Sequence, residues 1–180
     1  MRHAPLFLAL CVALAPLPLR AQNTGDATAA GRFDHFIDFR ARPGAMWGHT
    51  FILYGRVDGR GRPVELHRAG LYPDDGQAGL ILGTFVPVRA AVRAVPDDFS
   101  ETPSAIYHRT LSSAQYARLK STVTRICAND HGWHMLAYNC NHFADRVAHS
   151  LGLHTPPNFL VPNAWVRALK AMNQRRYARA

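Results

Sequence analysis

The chain has 180 residues, with 21 Lys and Arg against 12 Asp and Glu, and three cysteines. That length suits one domain. A net charge of +9 points to anionic partners, and no basic run is long enough to single out nucleic acid.

The first 21 residues read as a secretory signal peptide. Arg2 and His3 give a basic start, Pro5 to Leu19 is almost wholly apolar, and Leu19-Arg20-Ala21 ends on a small residue. The expected cut follows Ala21, which places the mature chain in the periplasm or outside the cell. No later stretch is apolar enough to span a bilayer. With Arg2 and Arg20 gone, 19 basic residues face 12 acidic ones, a charge of +7. In an exported protein that balance favours anionic envelope polymers or lipid head groups. Residues 22–31 are small and polar and read as a disordered leader. A single domain is expected over 32–171, followed by a basic tail over 172–180.

The first half reads as strands. His35 to Phe39 and His49 to Tyr54 are aromatic and β-branched. A Gly- and Asp-rich connection from Gly55 to Pro63 leads to a return strand, Val64 to Arg68. Leu71 to Gly79 reads as a loop. Leu80 to Val88 and Ile106 to Thr110 are further strand candidates, separated by Pro96 to Pro103.

The second half reads as helices. Ser112 can cap a helix to about Ala128, with Tyr116, Leu119, Val123, Ile126 and Cys127 as its apolar stripe. Asn129 to Ala137 is a loop. Asn139 can cap the next helix, where Cys140, Phe143, Val147 and Leu151 form the buried face. Asn141, His142, Asp145, Arg146 and His149 fall on the wet face, and Gly152 ends the helix. A last helix starts near Pro162. Strands followed by helices predict an α+β domain, with a mostly antiparallel sheet of about four to six strands packed against helices.

Two short segments carry the chemistry: Trp47-Gly48-His49-Thr50-Phe51 and Ala137-Tyr138-Asn139-Cys140-Asn141-His142-Phe143. A cysteine at a helix N-terminus sits where backbone N–H groups and the helix dipole favour its thiolate. His49 opens a strand 91 residues earlier, and an imidazole is suited to take the thiol proton and hand it to a leaving group. Such a base needs an acceptor behind it. His67 on the neighbouring strand is the first candidate, and Glu65, on the same face, is the alternative. The backbone N–H of Cys140 would supply one oxyanion donor, with Tyr138 or Asn139 as the other. A thiolate of this kind should alkylate fast at mildly acidic pH, ahead of Cys127.

Other readings stand beside this one. Cys127 and Cys140 are the two cysteines of the mature chain, and in an oxidising compartment they suggest a disulfide. His131, His134, His142 and His149 invite a metal reading, but nothing fixes a zinc spacing, so neither metal nor cofactor is expected. Trp47 and Trp133 are candidates to line a cleft.

The order histidine then cysteine, with Asn-Cys-Asn-His-Phe at a helix start, resembles the circularly permuted branch of the NlpC-type papain-like fold. That branch includes the lecithin:retinol acyltransferase family, whose motif reads Asn-Cys-Glu-His-Phe, and the PPPDE peptidases, with a similar Asn-Cys-Asn segment. Trp47-Gly48-His49-Thr50-Phe51 is similar to the Gly-His-Thr-Phe stretch of some bacterial periplasmic domains. The resemblance covers roughly Gly44 to Leu151. It implies a papain-like fold, Cys140 as nucleophile, His49 as base, and a polar third residue where His67 stands. The implied chemistry is acyl transfer: amide hydrolysis, with peptidoglycan peptide as the natural substrate of an exported enzyme, or transfer and thioester hydrolysis on lipid acyl groups. A non-catalytic envelope interaction domain with a Cys127–Cys140 bridge is the remaining reading. Oligomeric state is not legible.

Overall fold

The computed structural model describes residues 34–44, 47–129 and 131–177. The predicted signal peptide and leader lie outside these residues.

Six strands form one sheet in the order β5-β1-β2-β3-β4-β6, with every neighbouring pair antiparallel. The strands are β1 (Asp34–Arg42), β2 (His49–Val57), β3 (Pro63–Pro73), β4 (Val88–Arg93), β5 (Ala105–Leu111) and β6 (His131–Trp133). The helices are α1 (Gly76–Leu82), α2 (Asp97–Ser100), α3 (Ser113–Cys127), α4 (Cys140–Ser150) and α5 (Pro162–Tyr177). This is the expected α+β class.

The core lies on one face of the sheet. Ile37, Phe39, Ala41, Ile52, Tyr54, Ala69, Leu71 and Tyr107 alternate along their strands and meet Leu119, Ile126, Phe143, Val147, Trp165 and Leu169 from α3, α4 and α5. Burying Phe143 and Val147 completely stabilises the docking of α4 by roughly 1.5–3 kcal/mol per side chain. The residues between those core positions project from the opposite face: Asp38, Arg40, Arg42, His49, Phe51, Arg68, Gly70 and Tyr72. Short α2 approaches that face, since Asp98 takes hydrogen bonds from Arg42 and Tyr72.

Helix ends follow the sequence closely. Ser112 and Gln115 form a capping box at α3, and Asn139 caps α4. Gly152, which ends α4, has φ 74°, a conformation glycine adopts without strain.

Four expectations are corrected. Leu80 to Val88 is not a strand: α1 ends at Leu82, and pairing starts only at Val88. A short apolar run suits either element, and here Ile81, Leu82, Phe85 and Val86 are exposed. The Leu71 to Gly79 loop is partly strand, because β3 runs on to Pro73 and pairs with β4. Cys127 is exposed at the end of α3, although Tyr116, Leu119, Val123 and Ile126 of its stripe are buried. Helix α5 continues through Met172 to Tyr177, into the segment read as a tail.

Candidate active site

Every residue of the Asn139 to His142 motif has a structural task. The Asn139 carboxamide oxygen accepts from the N–H of Asn141 (2.9 Å) and of His142 (3.4 Å). Its amide nitrogen donates to Met135 O (2.5 Å) and Asn158 O (3.4 Å). His142 closes the box: its Nδ1 accepts from the Asn139 N–H at 3.2 Å. The same Nδ1 lies 3.1 Å from the Asn139 Oδ1, and burial lowers the His142 pKa.

Asn141 was expected on the wet face but is buried. Its Oδ1 accepts from Thr50 Oγ1 at 2.6 Å, and its Nδ2 donates to Asn158 O (3.1 Å) and Leu160 O (2.7 Å). This carboxamide joins α4, β2 and the 158–160 loop. Polarity alone sent it outward in the sequence reading; a loop 17 to 19 residues later covers it.

Cys140 is the first residue of α4 and only 8% exposed. Burial raises its pKa, and hydrogen bonds from the N–H of Thr50, the N–H of Asn141, its own N–H and the Thr50 side chain pull the other way. A hydroxyl has one proton, and Asn141 takes it at 2.6 Å, so the backbone N–H groups are the donors that serve the sulfur. The Thr50 N–H is free for this because β2–β3 pairing begins at Ile52↔Ala69, leaving the start of β2 without a ladder partner on that side.

His49 arrives at this same end of β2, from the other face. Its ring stacks on Tyr72 with centroids 4.0 Å apart. Its Nε2 is buried without a hydrogen-bond partner. Gly70 makes room: a Cβ there would lie 2.6 Å from Nε2. Burial, and secondarily the charge of Arg42, push the His49 pKa well below its ordinary value. Behind the ring stands a network the sequence did not signal. Arg42 Nε donates to Asp98 Oδ1 (3.0 Å), the Tyr72 hydroxyl donates to the same oxygen (2.5 Å), and Val95 N–H donates to Oδ2 (3.1 Å).

Cys140 thus meets the N–H of Thr50, and His49 is the residue before it, but the two side chains lie on opposite faces of the sheet with no hydrogen bond joining them. The remaining candidates lie elsewhere or are occupied. Antiparallel register pairs His67 with Tyr54, five residues along β2 from His49, roughly 17 Å away. The position opposite His49 belongs instead to Tyr72. His67 contacts Glu65 at 2.8 Å and Glu65 also accepts from Arg56 and Tyr116, which holds its carboxyl at about 2. His67 and Glu65 therefore do not stand behind His49. Tyr138 N–H donates to His134 O and Asn139 N–H to His142, so neither backbone donor is available to an oxyanion. The N–H of Cys140 remains.

Cys127 and Cys140, the cysteines among the described residues, are free thiols with no bridge between them. Trp133 is buried against Gly83, in the core rather than a cleft, whereas Trp47 is 52% exposed. Among the described residues, no three His, Cys, Asp or Glu side chains converge as metal ligands do. Two grooves of about 470 and 590 Å³ open beside Arg146, the first also lined by Tyr138, and neither is lined by Cys140 or His49. The chemistry of Cys140 and His49 therefore marks the candidate site, and cavity size does not.

No protein-family model, curated protein or solved structure matches the chain. The geometry and chemistry of its own residues carry the case for a function.

Two predictions follow from the uncharged state of this pair. Iodoacetamide at pH 6 should label Cys127 before Cys140, because burial raises the pKa of both thiols and only Cys127 is exposed to the reagent. This reverses the order expected of a preformed thiolate, and peptide mapping after partial labelling reads it directly. The second concerns stability. Below about pH 6.5 the unfolded chain protonates its histidine while buried His49 stays neutral, so stability falls as pH falls. Above about pH 8.5 the unfolded chain ionises its thiol while Cys140 keeps its proton, so stability falls as pH rises. Urea unfolding should give greatest stability between these limits. His49→Gln should flatten the acid limb, by up to about 1.4 kcal/mol per pH unit; parallel curves for both proteins would contradict the assignment.

Proposed function

We propose that the chain is an exported cysteine hydrolase of permuted papain-like architecture that cleaves amide bonds in cell-wall peptide, with Cys140 as nucleophile and His49 as base. The observation that carries this reading is that both groups sit at the start of β2, one residue apart along the strand. The Cys140 sulfur takes the Thr50 N–H, and the imidazole of the preceding residue holds a buried, unpartnered Nε2. Leaving such a nitrogen unpaired costs roughly 1–3 kcal/mol, a cost that functional sites retain.

The resting pair is thiol and imidazole. As sulfur attacks the substrate carbonyl, its proton passes to His49 by way of a water at the end of β2, since the two side chains make no direct hydrogen bond. The C–N bond breaks, His49 returns the proton to the departing amine, and the acyl group stays on Cys140 as a thioester. Water then attacks, His49 again taking and returning a proton, and a carboxylic acid leaves. The Cys140 N–H at the helix N-terminus faces the negative oxygen of each tetrahedral intermediate. Basic surface charge suits an anionic wall.

A second reading keeps the nucleophile and changes the substrate to lipid acyl esters or thioesters. An apolar rim favours it: Leu136 is 68% and Phe159 71% exposed, and both neighbour the segments that Asn139 ties to the start of α4. The mature protein should be incubated with purified peptidoglycan and, separately, with acyl esters. New muropeptides are the expected result. Ester cleavage without muropeptides selects the lipid reading, and inertness toward both removes the enzyme.

A further inference from the structure

The face of the sheet that carries His49 is rich in arginine, and most of that charge is already neutralised. Arg40 is 2.6 Å from Asp38, Arg42 is 3.0 Å from Asp98, and Arg93 is 3.3 Å from Asp74. The nearby acids Asp97 and Glu101 also turn to Arg42. Arg68 differs. Among the described residues it has no carboxylate partner, and its buried Nε has no hydrogen-bond partner of any kind. Its guanidinium carbon lies 4.0 Å from the centroid of the Phe99 ring, a residue 62% exposed. Packing against an aromatic face places the guanidinium and leaves its terminal Nη groups, which are not buried, to a ligand.

Arg68 is two residues from Gly70 on the same face of β3, and Gly70 lies under His49 Nε2. Two strand residues span roughly 7 Å, the length of about two residues of extended peptide. We propose that Arg68, stacked on Phe99, forms a carboxylate-binding subsite beside His49, so that the substrate is a peptide with a carboxylate one or two residues beyond the scissile amide. The inference rests on His49 marking the reacting centre. A single guanidinium fork matches one carboxylate in charge and shape. A phosphate dianion calls for further cations, and Arg42 is committed to Asp98.

Calorimetric binding of N-acetyl-dialanine to the mature Cys140→Ala chain tests this without turnover, against its C-terminal carboxamide and inorganic phosphate. The acid is expected to bind at least 10-fold more tightly than the amide, about 1.4 kcal/mol. Arg68→Gln should abolish that preference, and Arg68→Lys, which keeps the charge and loses the fork, should retain only part of it. Equal binding of acid and amide, no binding of either, a preference that survives Arg68→Gln, or phosphate competing as strongly as the acid would each overturn the proposal. Acid preference in a protein that releases no muropeptides leaves the subsite standing and removes the hydrolase. Muropeptide release without acid preference does the reverse.

Discussion

Cys140→Ser is expected to lower muropeptide release by roughly 10³-fold or more while leaving the fold intact. The serine oxygen can still accept the Thr50 N–H, and the change in volume at this 8% exposed position is small. What is lost is the nucleophile. A serine hydroxyl holds its proton far more tightly than a thiol, and His49, whose own basicity is lowered by burial, is too weak to share it. The measurement pairs product release with a urea midpoint at pH 7. Undiminished release by the serine variant would eliminate Cys140 as the nucleophile. A large fall in the midpoint would make Cys140 a structural residue first.

Asn141→Leu is expected to destabilise the protein by about 3–5 kcal/mol, although it replaces a polar side chain with an apolar one inside the protein. The exchange strands the Thr50 hydroxyl and the Leu160 carbonyl, and leaves the Asn158 carbonyl only the 3.4 Å bond from Asn139. Each unsatisfied buried group costs roughly 1–3 kcal/mol, offset in part by apolar burial. Activity should fall as well, because the same bonds seat Thr50 against the sulfur. Asn141→Asp keeps the acceptor for Thr50 and sets a carboxylate against two carbonyls, so it should be as damaging. Urea midpoints decide. A loss below about 1 kcal/mol in Asn141→Leu would mean water replaces the lost bonds.

Much of the candidate site was legible because it depends on short-range rules. Asn139 as cap and Cys140 as first helical residue follow from backbone N–H groups that lack partners at any helix start. The start of β2 at His49 follows from β-branched and aromatic residues. What failed was long-range. His67 was chosen from strand adjacency, but β3 runs five residues past Arg68, and the added length slides Tyr72, not His67, opposite His49. Asp98 and Arg42 join through contacts 56 residues apart. Cys127 shares its helix stripe with buried residues and is nonetheless exposed, since the stripe outruns the surface that covers it.

The chain by itself therefore determined the class of the fold, the ends of its two central helices, and the identity of a thiol and an imidazole worth pairing. Those features arise from caps, periodicity and side-chain chemistry, which act within a few residues. Only the tertiary structure decided that β2 presents Thr50 to the sulfur and His49 to the opposite face, and that Tyr72 backs the ring. It also decided that Asn141 is buried and that Arg68 keeps an unpaired charge beside the site. Register and burial are properties of several segments at once, and no single segment encodes which neighbour will cover it or how far a partner strand will extend.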